Sequence, residues 1–220
     1  MTTLAITQRV DISHTGERRD ALDQNWTWFA SFLDADILPL PNLFPLRHKK
    51  IDLFSWMTRH QVTGVILSGG NTPVIGKNRG WKANDIAPER DRLESLLLEQ
   101  LPSKGIPIVG VCRGLQMINL FYGGALEKVQ HHVAVTHRLK TQPQASDEFY
   151  MQVNSFHQFG ITIDGLASDL EALAFAEDGT VEALQHKFLP VYAVMWHPER
   201  ENPFQDEDIN CFKKWLLPRN

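Results

Sequence analysis

Residues 106–124 read IPIVGVCRGLQMINLFYGG, and this segment constrains the fold more than any other stretch of the chain. Residues 106–111 are almost entirely apolar, which predicts a strand buried on both faces in the centre of a parallel sheet. Residues 113–122 have the pattern of a helix, and Gly123 and Gly124 then supply a C-terminal cap. A buried strand that leads directly into a helix is typical of a layered α/β fold.

The rest of the chain repeats this alternation of short apolar runs and helical patterns, which favours a mostly parallel sheet. Helices are predicted at residues 18–33, 88–101 and 206–217. Strands are predicted at residues 4–7, 37–40, 64–67, 132–139, 173–176, 181–184 and 191–195. The second half reads as more antiparallel, because Asp178 and Gly179 between two apolar runs are a hairpin signal. Residues 71–86 and 141–147 are polar and rich in turn formers, so we expect loops there.

Length, charge and cysteine content narrow the class of protein. The 220 residues fit one domain over residues 1–220. The 22 basic and 26 acidic side chains give a net charge of −4, without the basic footprint of a nucleic-acid-binding protein. Two cysteines cannot form a disulfide framework, so we expect a cytoplasmic location. Neither a signal-peptide pattern nor an apolar run of bilayer-spanning length is present, so we expect no membrane partner.

Cys112 is the strongest candidate for a nucleophile. It stands where the buried strand meets the helix, with Gly110 two residues before it and Gly114 two residues after it. This is the spacing of a nucleophile elbow, a strained turn that needs small neighbours and exposes one side chain above the sheet. The amides at the start of the helix favour a thiolate. The alternative is a buried structural cysteine, which is our expectation for Cys211 in the last predicted helix.

His197 and Glu199 are the candidate partners of the nucleophile. They belong to MWHPE (195–199), directly after an apolar strand. In an extended segment residues i and i+2 point the same way, and Pro198 prevents a helix, so the carboxylate of Glu199 can orient the imidazole. The alternative is a surface turn. If both strands belong to one sheet, Cys112 and His197 meet at its carboxyl edge, where open α/β sheets place their sites.

LSGG (67–70) follows another buried strand. Adjacent glycines allow backbone amides to face a cavity without a side chain in between. The amides of Gly70 and Arg113 could therefore hold the oxyanion of a tetrahedral intermediate. A simple turn explains the two glycines equally well.

Together, LSGG (67–70), GVCRGLQ (110–116) and WHPE (196–199) resemble the class I glutamine amidotransferase superfamily. APERDRLESLL (87–97), VNSFHQFGI (153–161) and DGTVEAL (178–184) resemble, more narrowly, its γ-glutamyl hydrolase branch, peptidase family C26. The resemblance covers residues 63–200. It implies a flavodoxin-like three-layer αβα fold with a mostly parallel central sheet and an antiparallel extension.

The resemblance also implies a mechanism. Cys112 would attack the γ-carbonyl of a glutamyl group to form a thioester, and His197 would transfer protons while Glu199 orients it. Gly70 and Arg113 would supply the oxyanion amides. Water then releases glutamate, and this chemistry needs no cofactor or metal.

Four further residues are assigned to substrate binding by the same resemblance. Gln116 would hold the glutamyl group, one helical turn after the nucleophile, and Asn154, Ser155 and His157 would line the wall over it. For Asn154 and Ser155 a turn before a strand is an equal alternative. The expected partner is a small γ-glutamyl molecule, and the oligomeric state is left open.

The leaving group is less well defined by the sequence. Asn71-Thr72-Pro73 follows LSGG, where glutaminase domains commonly have proline directly after the glycines. Arg9 and Arg19 follow the first strand, and guanidinium groups suit phosphate, although a solvated face is the simpler alternative. The segment 6–26 and the loop pattern resemble γ-glutamyl-CDP-amidate hydrolases of bacterial surface-polysaccharide pathways, which implies a γ-glutamyl phosphoramidate substrate.

His131, His132 and His137 raise the question of a metal site. Adjacent positions on a strand point to opposite faces, so this spacing disfavours a site built from the three histidines. Three rival functions stay open: a hydrolase of γ-glutamyl-γ-aminobutyrate type, a glutaminase subunit that feeds ammonia to a synthetase partner, and a non-catalytic binding protein that kept the fold.

Overall fold

The computed structural model describes residues 2–44, 53–141 and 151–217. Its strands are, in chain order, β1 Thr2–Thr7, β2 Arg9–Ile12, β3 Arg18–Ala21, β4 Ala35–Leu40, β5 Val62–Leu67, β6 Ile108–Val111, β7 Glu127–Lys128, β8 Val133–Arg138, β9 Lys140–Thr141, β10 Gln152–Phe156, β11 Phe159–Gly160, β12 Leu170–Phe175, β13 Val181–His186 and β14 Val191–Val194. Its α-helices are α1 Asn25–Phe32, α2 Leu53–Arg59, α3 Pro88–Gln100, α4 Arg113–Phe121 and α5 Asp206–Leu216.

Eight strands form the central sheet, in the order β4-β1-β5-β6-β14-β13-β12-β9. The first five run parallel to one another, and the last three are antiparallel to their neighbours. β12 and β13 form the predicted hairpin, with Gly179 at φ +90° in its turn. The prediction of a mostly parallel sheet with an antiparallel extension is confirmed.

Helices cover both faces of this sheet. On one face, Leu4 and Ile6 of β1 pack in the same apolar cluster as residues of α1 and α5, such as Phe29 and Phe212. On the other face, Ala5 belongs to a second cluster with residues of α2, α3 and α4. The strands are apolar on both sides because both sides are buried, as in parallel sheets generally. The predicted three-layer arrangement is confirmed.

The predicted helix at residues 18–33 is wrong in its first part. Residues 18–21 form β3, which pairs antiparallel with β2 in a separate two-stranded ribbon, and the helix begins only at Asn25. Trp26 and Phe29 are buried, whereas none of the side chains at residues 18–21 is. A helix there would gain no packing, while the ribbon satisfies its backbone, and Asp20 accepts two hydrogen bonds from Asn42.

The other predicted elements are present, with ends that differ by a few residues. The expectation that Cys211 is a buried structural cysteine is wrong, because its position in α5 is exposed. The loop at residues 71–86 contains a short 3₁₀ helix, Gly76–Asn78. Residues 142–147 of the second predicted loop lie outside the described residues. Within the described ranges, the helices are too short or too polar to cross a bilayer.

Parallel strands place their carboxyl ends at one edge of the sheet. β5 ends before Gly69 and Gly70, β6 ends before Cys112, and β14 ends three residues before His197. The topology therefore brings together the three segments that the sequence singled out.

Candidate active site

Cys112 occupies the strained turn that its neighbours predict. Its φ is +51° and its ψ is −102°, which is uncommon for a residue with a side chain. A Cβ on Gly110 would lie 2.6 Å from the backbone of Gly114, and a Cβ on Gly114 would collide with the carbonyl oxygen of Leu67. Close packing of the turn therefore requires both glycines, and the predicted elbow is confirmed.

Cys112, His197 and Glu199 lie together at the carboxyl edge of the sheet. Cys112 and His197 line the same cavity, and the imidazole is close enough to the thiol to shift its pKa. Nδ1 of His197 lies 2.7 Å from Oε1 of Glu199, and all three side chains are buried. An acid, an imidazole and a thiol in this order are the parts of a nucleophilic triad.

Electrostatics favour the ionised form of this pair. Burial disfavours the thiolate, but the adjacent His197 lowers the pKa of Cys112 below its ordinary value. Burial also disfavours the imidazolium, yet Cys112 and Glu199 raise the pKa of His197 to about 9. The opposite shifts favour a thiolate–imidazolium pair over a neutral thiol and a neutral imidazole.

Asn154 holds the backbone of His197. Its Nδ2 donates to the carbonyl oxygen of His197 at 2.8 Å, and the amide of His197 donates to Oδ1 at 2.9 Å. Ser155 is fully buried and donates to the carbonyl oxygen of His132 at 2.7 Å. These contacts favour positioning roles, and substrate contact by Asn154 and Ser155 stays a prediction.

A buried arginine that sequence reasoning missed supports the loop after β5. The guanidinium of Arg90 donates to the carbonyl oxygens of Ser68, Gly69 and Gly70, at 2.5, 3.0 and 2.7 Å. Its Nε also pairs with Glu94 at 2.8 Å. With its carbonyl groups held from behind, the loop has little freedom to move relative to Cys112. The signal was present in the sequence: Arg90 and Glu94 lie four residues apart, on the face of the predicted helix that carries Leu93 and Leu97.

A second arginine joins this network from the nucleophile helix. The buried side chain of Arg113 forms ion pairs with Asp91 and Glu94. Glu94 also accepts a hydrogen bond from Thr7 at 2.7 Å. Burial opposes the charge on Glu94, but the two arginines lower its pKa. The predicted oxyanion residues, Gly70 and Arg113, are thus tied into one rigid assembly.

A cavity of about 400 Å³ opens over the thiol. It is lined by Gly70, Asn71, Asp85, Cys112, Arg113, Gln116, Phe156, His157, Gln158, Phe159, His197 and Arg200. Gln116 donates to the carbonyl oxygen of Phe159 at 2.8 Å. Of the residues that the resemblance assigned to substrate binding, Gln116 and His157 reach this cavity.

Arg200 is a cavity residue that sequence reasoning did not identify. Its guanidinium lies over the ring of Phe156, 4.9 Å from the ring centre. Its position directly after WHPE was the available signal. It brings a positive charge to the cavity, beside the thiol and the imidazole.

Arg9 and Arg19 are placed differently. Arg9 packs against Gly70, pairs with Asp11 at 3.1 Å and lines a small crevice beside the cavity. Arg19 pairs with Glu17 and is 65% exposed. The structure thus brings Arg9 to the site but leaves Arg19 at the surface of the ribbon.

The histidines of residues 131–137 divide in the same way. His131 is exposed, whereas the rings of His132 and His137 approach to 4.3 Å. In a regular strand, residues five positions apart point to opposite faces, so the side chains of His132 and His137 would not meet. Ala134 has φ +55°, and the pairing of β8 with β10 shifts near it, so alternation is broken there.

The comparisons with known proteins agree with the fold and the motifs. A family model described as Peptidase C26 matches residues 28–199. The chain is 33% identical over 217 residues to the "Gamma-glutamyl-CDP-amidate hydrolase" of Campylobacter jejuni, covering 97% of this chain and 96% of that protein. It is 27% identical over 146 residues to the glutamine-hydrolysing GMP synthase of Dictyostelium discoideum, covering 63% of this chain and 18% of that protein.

A solved structure shows the same fold. The crystal structure of a glutamine amidotransferase from Thermotoga maritima superposes with a TM-score of 0.63 at 15% identity. The match covers 97% of this chain and 83% of that one.

Proposed function

The chain belongs to the peptidase C26 family, and on that premise we propose that it is a cysteine hydrolase of γ-glutamyl amides. The observation that carries the proposal is the meeting of Cys112 and His197 at one cavity, with Glu199 hydrogen-bonded to the imidazole. The paired pKa shifts favour a thiolate nucleophile and a protonated imidazole. Both are needed for the first step.

In that step the thiolate of Cys112 attacks the γ-carbonyl carbon, and the carbonyl electrons move onto oxygen. The amides of Gly70 and Arg113 stabilise this oxyanion. As the carbonyl re-forms, the carbon–nitrogen bond breaks and His197 gives its proton to the leaving nitrogen. A γ-glutamyl thioester remains on Cys112.

In the second step His197, now neutral, takes a proton from water as the water oxygen attacks the thioester. Collapse of this intermediate breaks the carbon–sulfur bond and releases glutamate. The thiolate and the imidazolium are then restored. Glu199 keeps the imidazole in the required tautomer throughout.

The substrate we propose is γ-glutamyl-CDP-amidate, whose leaving group carries phosphates. The match to the Campylobacter jejuni hydrolase extends over 97% of the chain, beyond the 28–199 range of the family model. Arg200 lines the cavity and Arg9 lines a crevice beside it, and guanidinium groups bind phosphate well, which supports this substrate. The free thiols of Cys112 and Cys211 fit a reducing cytoplasm.

Glutamate release by the full-length chain tests the proposal. The panel is γ-glutamyl-CDP-amidate, γ-glutamyl-γ-aminobutyrate, a γ-glutamyl peptide and glutamine. We expect kcat/KM for the first compound to exceed the others by about 10²-fold or more. Arg200→Gln should raise KM for that compound while sparing γ-glutamyl-γ-aminobutyrate.

Cys112→Ala tests the cysteine mechanism separately from the identity of the substrate. We expect it to lower kcat by at least about 10⁴-fold, with Cys211→Ala as the matched control at wild-type activity. Activity retained in Cys112→Ala would contradict the cysteine mechanism. Equal kcat/KM across the panel would contradict the substrate alone.

A second candidate function is that of a glutaminase that supplies ammonia to a synthetase. The similarity to GMP synthase, confined to 18% of that enzyme, favours it. It predicts that glutamine is the best compound of the panel and that a synthetase partner accelerates its turnover. Rapid cleavage of γ-glutamyl-CDP-amidate by the isolated chain would exclude it.

A further inference from the structure

A second buried group of ionisable side chains lies beside the cavity, separate from the candidate triad. His132 and His137 come from the segment of β8, His157 follows β10, and Glu182 lies in β13. One ligand atom from each of these four residues lies within 4.8 Å of those of the other three. We call these residues the histidine cluster. They belong to three segments that are far apart in sequence.

Three atoms of the cluster are spaced like the corners of a metal-coordination tetrahedron. Nδ1 of His132 lies 3.2 Å from Nε2 of His157. Oε1 of Glu182 lies 3.7 Å from the first nitrogen and 3.4 Å from the second. Ligands at zinc distances of about 2.0–2.1 Å around a tetrahedral centre are separated by about 3.3–3.4 Å.

The hydrogen bonds of the outer ring nitrogens of His132 and His157 indicate which ring nitrogens point a lone pair into the cluster. Nε2 of His132 lies 2.8 Å from a carboxylate oxygen of Asp178, and Nδ1 of His157 lies 3.1 Å from the carbonyl oxygen of Phe159. Both partners are acceptors, so when the rings are neutral the proton of each ring is on this outer nitrogen. The inward nitrogens then present lone pairs to each other. Metal-binding histidines are oriented by outer partners of this kind.

The cluster also contains buried atoms without partners. Among the described residues, nothing donates to or accepts from Nε2 of His137, and neither carboxylate oxygen of Glu182 has a hydrogen-bond partner. Buried polar atoms are nearly always satisfied, so each orphan needs an explanation. A cation between the four residues would give partners to Nε2 of His137 and to one carboxylate oxygen of Glu182 at once.

We propose that the histidine cluster binds one zinc ion through His132, His137, His157 and Glu182. Three imidazoles and one carboxylate suit zinc, and four protein ligands make a closed, structural site. The two positive charges are balanced by Glu182 and by Asp178 behind His132. An open pocket of about 360 Å³, lined by His132, His137 and Asp178, provides an entry path.

Such an ion would fix the relative positions of two parts of the active site. His157 directly follows β10 and lines the catalytic cavity, so its ligation would restrain that wall of the cavity. The carbonyl oxygen of Glu182 accepts the amide of Met195 at 2.7 Å, just before His197. The ion would therefore connect the wall above the thiol to the strand that carries the imidazole.

The experiment is a zinc titration of the full-length, metal-stripped chain against a chromophoric chelator. It is run on the unaltered chain and on Cys112→Ala/Cys211→Ala, which removes the thiols that could bind zinc themselves. We expect one zinc ion per chain in both. Cobalt(II) in the thiol-free chain should give the visible absorption of a tetrahedral nitrogen–oxygen site.

Variants in the thiol-free chain locate the ion. His137→Ala, at a half-buried position, and Glu182→Gln should each weaken zinc binding by about 100-fold or more, and Asp178→Asn by about 10–100-fold. His131→Ala, an exposed histidine of the same segment, is the matched control and should bind like its parent. Circular dichroism of each variant verifies folding, and His137→Ala decides if Glu182→Gln does not fold. The proposal is overturned if the parent binds no stoichiometric zinc, or if His137→Ala binds as tightly as His131→Ala.

Discussion

Two buried polar clusters lie beside Cys112, and they differ in how their buried charges and polar atoms are paired. Behind the loop after β5, Arg90 and Arg113 face Asp91 and Glu94, so two positive charges meet two negative ones. The histidine cluster, on the side of the antiparallel extension, sets three imidazoles around one carboxylate and leaves buried atoms without partners.

The difference distinguishes a buried cluster that stabilises the fold by itself from one that can bind an ion. A buried charge is tolerated when an opposite charge and hydrogen bonds compensate it. The arginine cluster (Arg90, Arg113, Asp91 and Glu94) pairs its charges within the chain, although Nε of Arg113 has no hydrogen-bond partner among the described residues. Desolvation and the neighbouring Arg113 lower the pKa of Arg90 to about 10, yet it stays charged at neutral pH. In the histidine cluster, Glu182 faces imidazoles instead of arginines, and the proposed cation would supply the positive charge.

The largest expected effect is on the arginine cluster. Glu94→Gln leaves Arg90 and Arg113 buried with one carboxylate between them, and we expect a loss of about 3–5 kcal/mol in the free energy of unfolding. Urea denaturation measures it. Glu99→Gln, exposed on the same helix, should change stability by less than about 0.5 kcal/mol. Equal, small effects of the two would show that the buried charges are not coupled.

The next effect is on catalysis. Lysine has three donors on one nitrogen, too few to hold three carbonyl groups and Glu94 together as the guanidinium does, so Arg90→Lys should let the loop that carries Gly70 shift. We expect kcat for glutamate release to fall by about 10²-fold with KM little changed. Arg92→Lys, exposed on the same helix, is the control. A change in KM alone would mean that Arg90 does not position the oxyanion loop.

Metal removal tests the histidine cluster through its effect on the thermal stability of the chain. If zinc at about 100 times its Kd contributes roughly 2.7 kcal/mol, a strong chelator should lower Tm by roughly 5–10 °C. The same chelator should leave the Tm of His137→Ala unchanged, whereas His131→Ala should respond like the unaltered chain. An unchanged Tm in all three would mean that the cluster is stable without an ion.

The last prediction concerns a buried acid that has no countercharge among the described residues. Burial raises the pKa of Asp208 to about 7, against the single hydrogen bond that it accepts from Trp196 at 2.9 Å. The folded chain therefore keeps a proton that the unfolded chain releases above about pH 4. The free energy of unfolding should fall as pH rises from about 4 to 7, by up to roughly 1.4 kcal/mol for each unit of the shift, and level off above 7.

Asp208→Asn should remove this slope and raise stability at pH 8. Asp206→Asn, exposed in the same helix, should keep the slope of the unaltered chain. Urea denaturation at several pH values measures both. A slope that survives in Asp208→Asn would assign the pH dependence to other groups.

Local pattern was enough to predict the elbow, because Gly110 and Gly114 flank Cys112 at fixed positions along one strand–turn–helix unit. It also predicted the contact between His197 and Glu199, but for the wrong backbone: residues 198–200 form a 3₁₀ helix that begins at Pro198, where an extended segment was expected. It failed at residues 18–21, where pairing with β2 outweighs a weak helical pattern. It missed Arg90 and Arg200 as site residues, because their partners are distant in the chain.

The sequence by itself determined the alternation of strands and helices, the elbow at Cys112 and the segments that meet at the carboxyl edge of the sheet. These follow from short-range periodicity and backbone sterics, which each segment expresses independently. Only the tertiary structure decided which charges are compensated. His132, His157 and Glu182 come together through strand pairing and an irregularity at Ala134, so their lone pairs converge at a point that no single segment encodes.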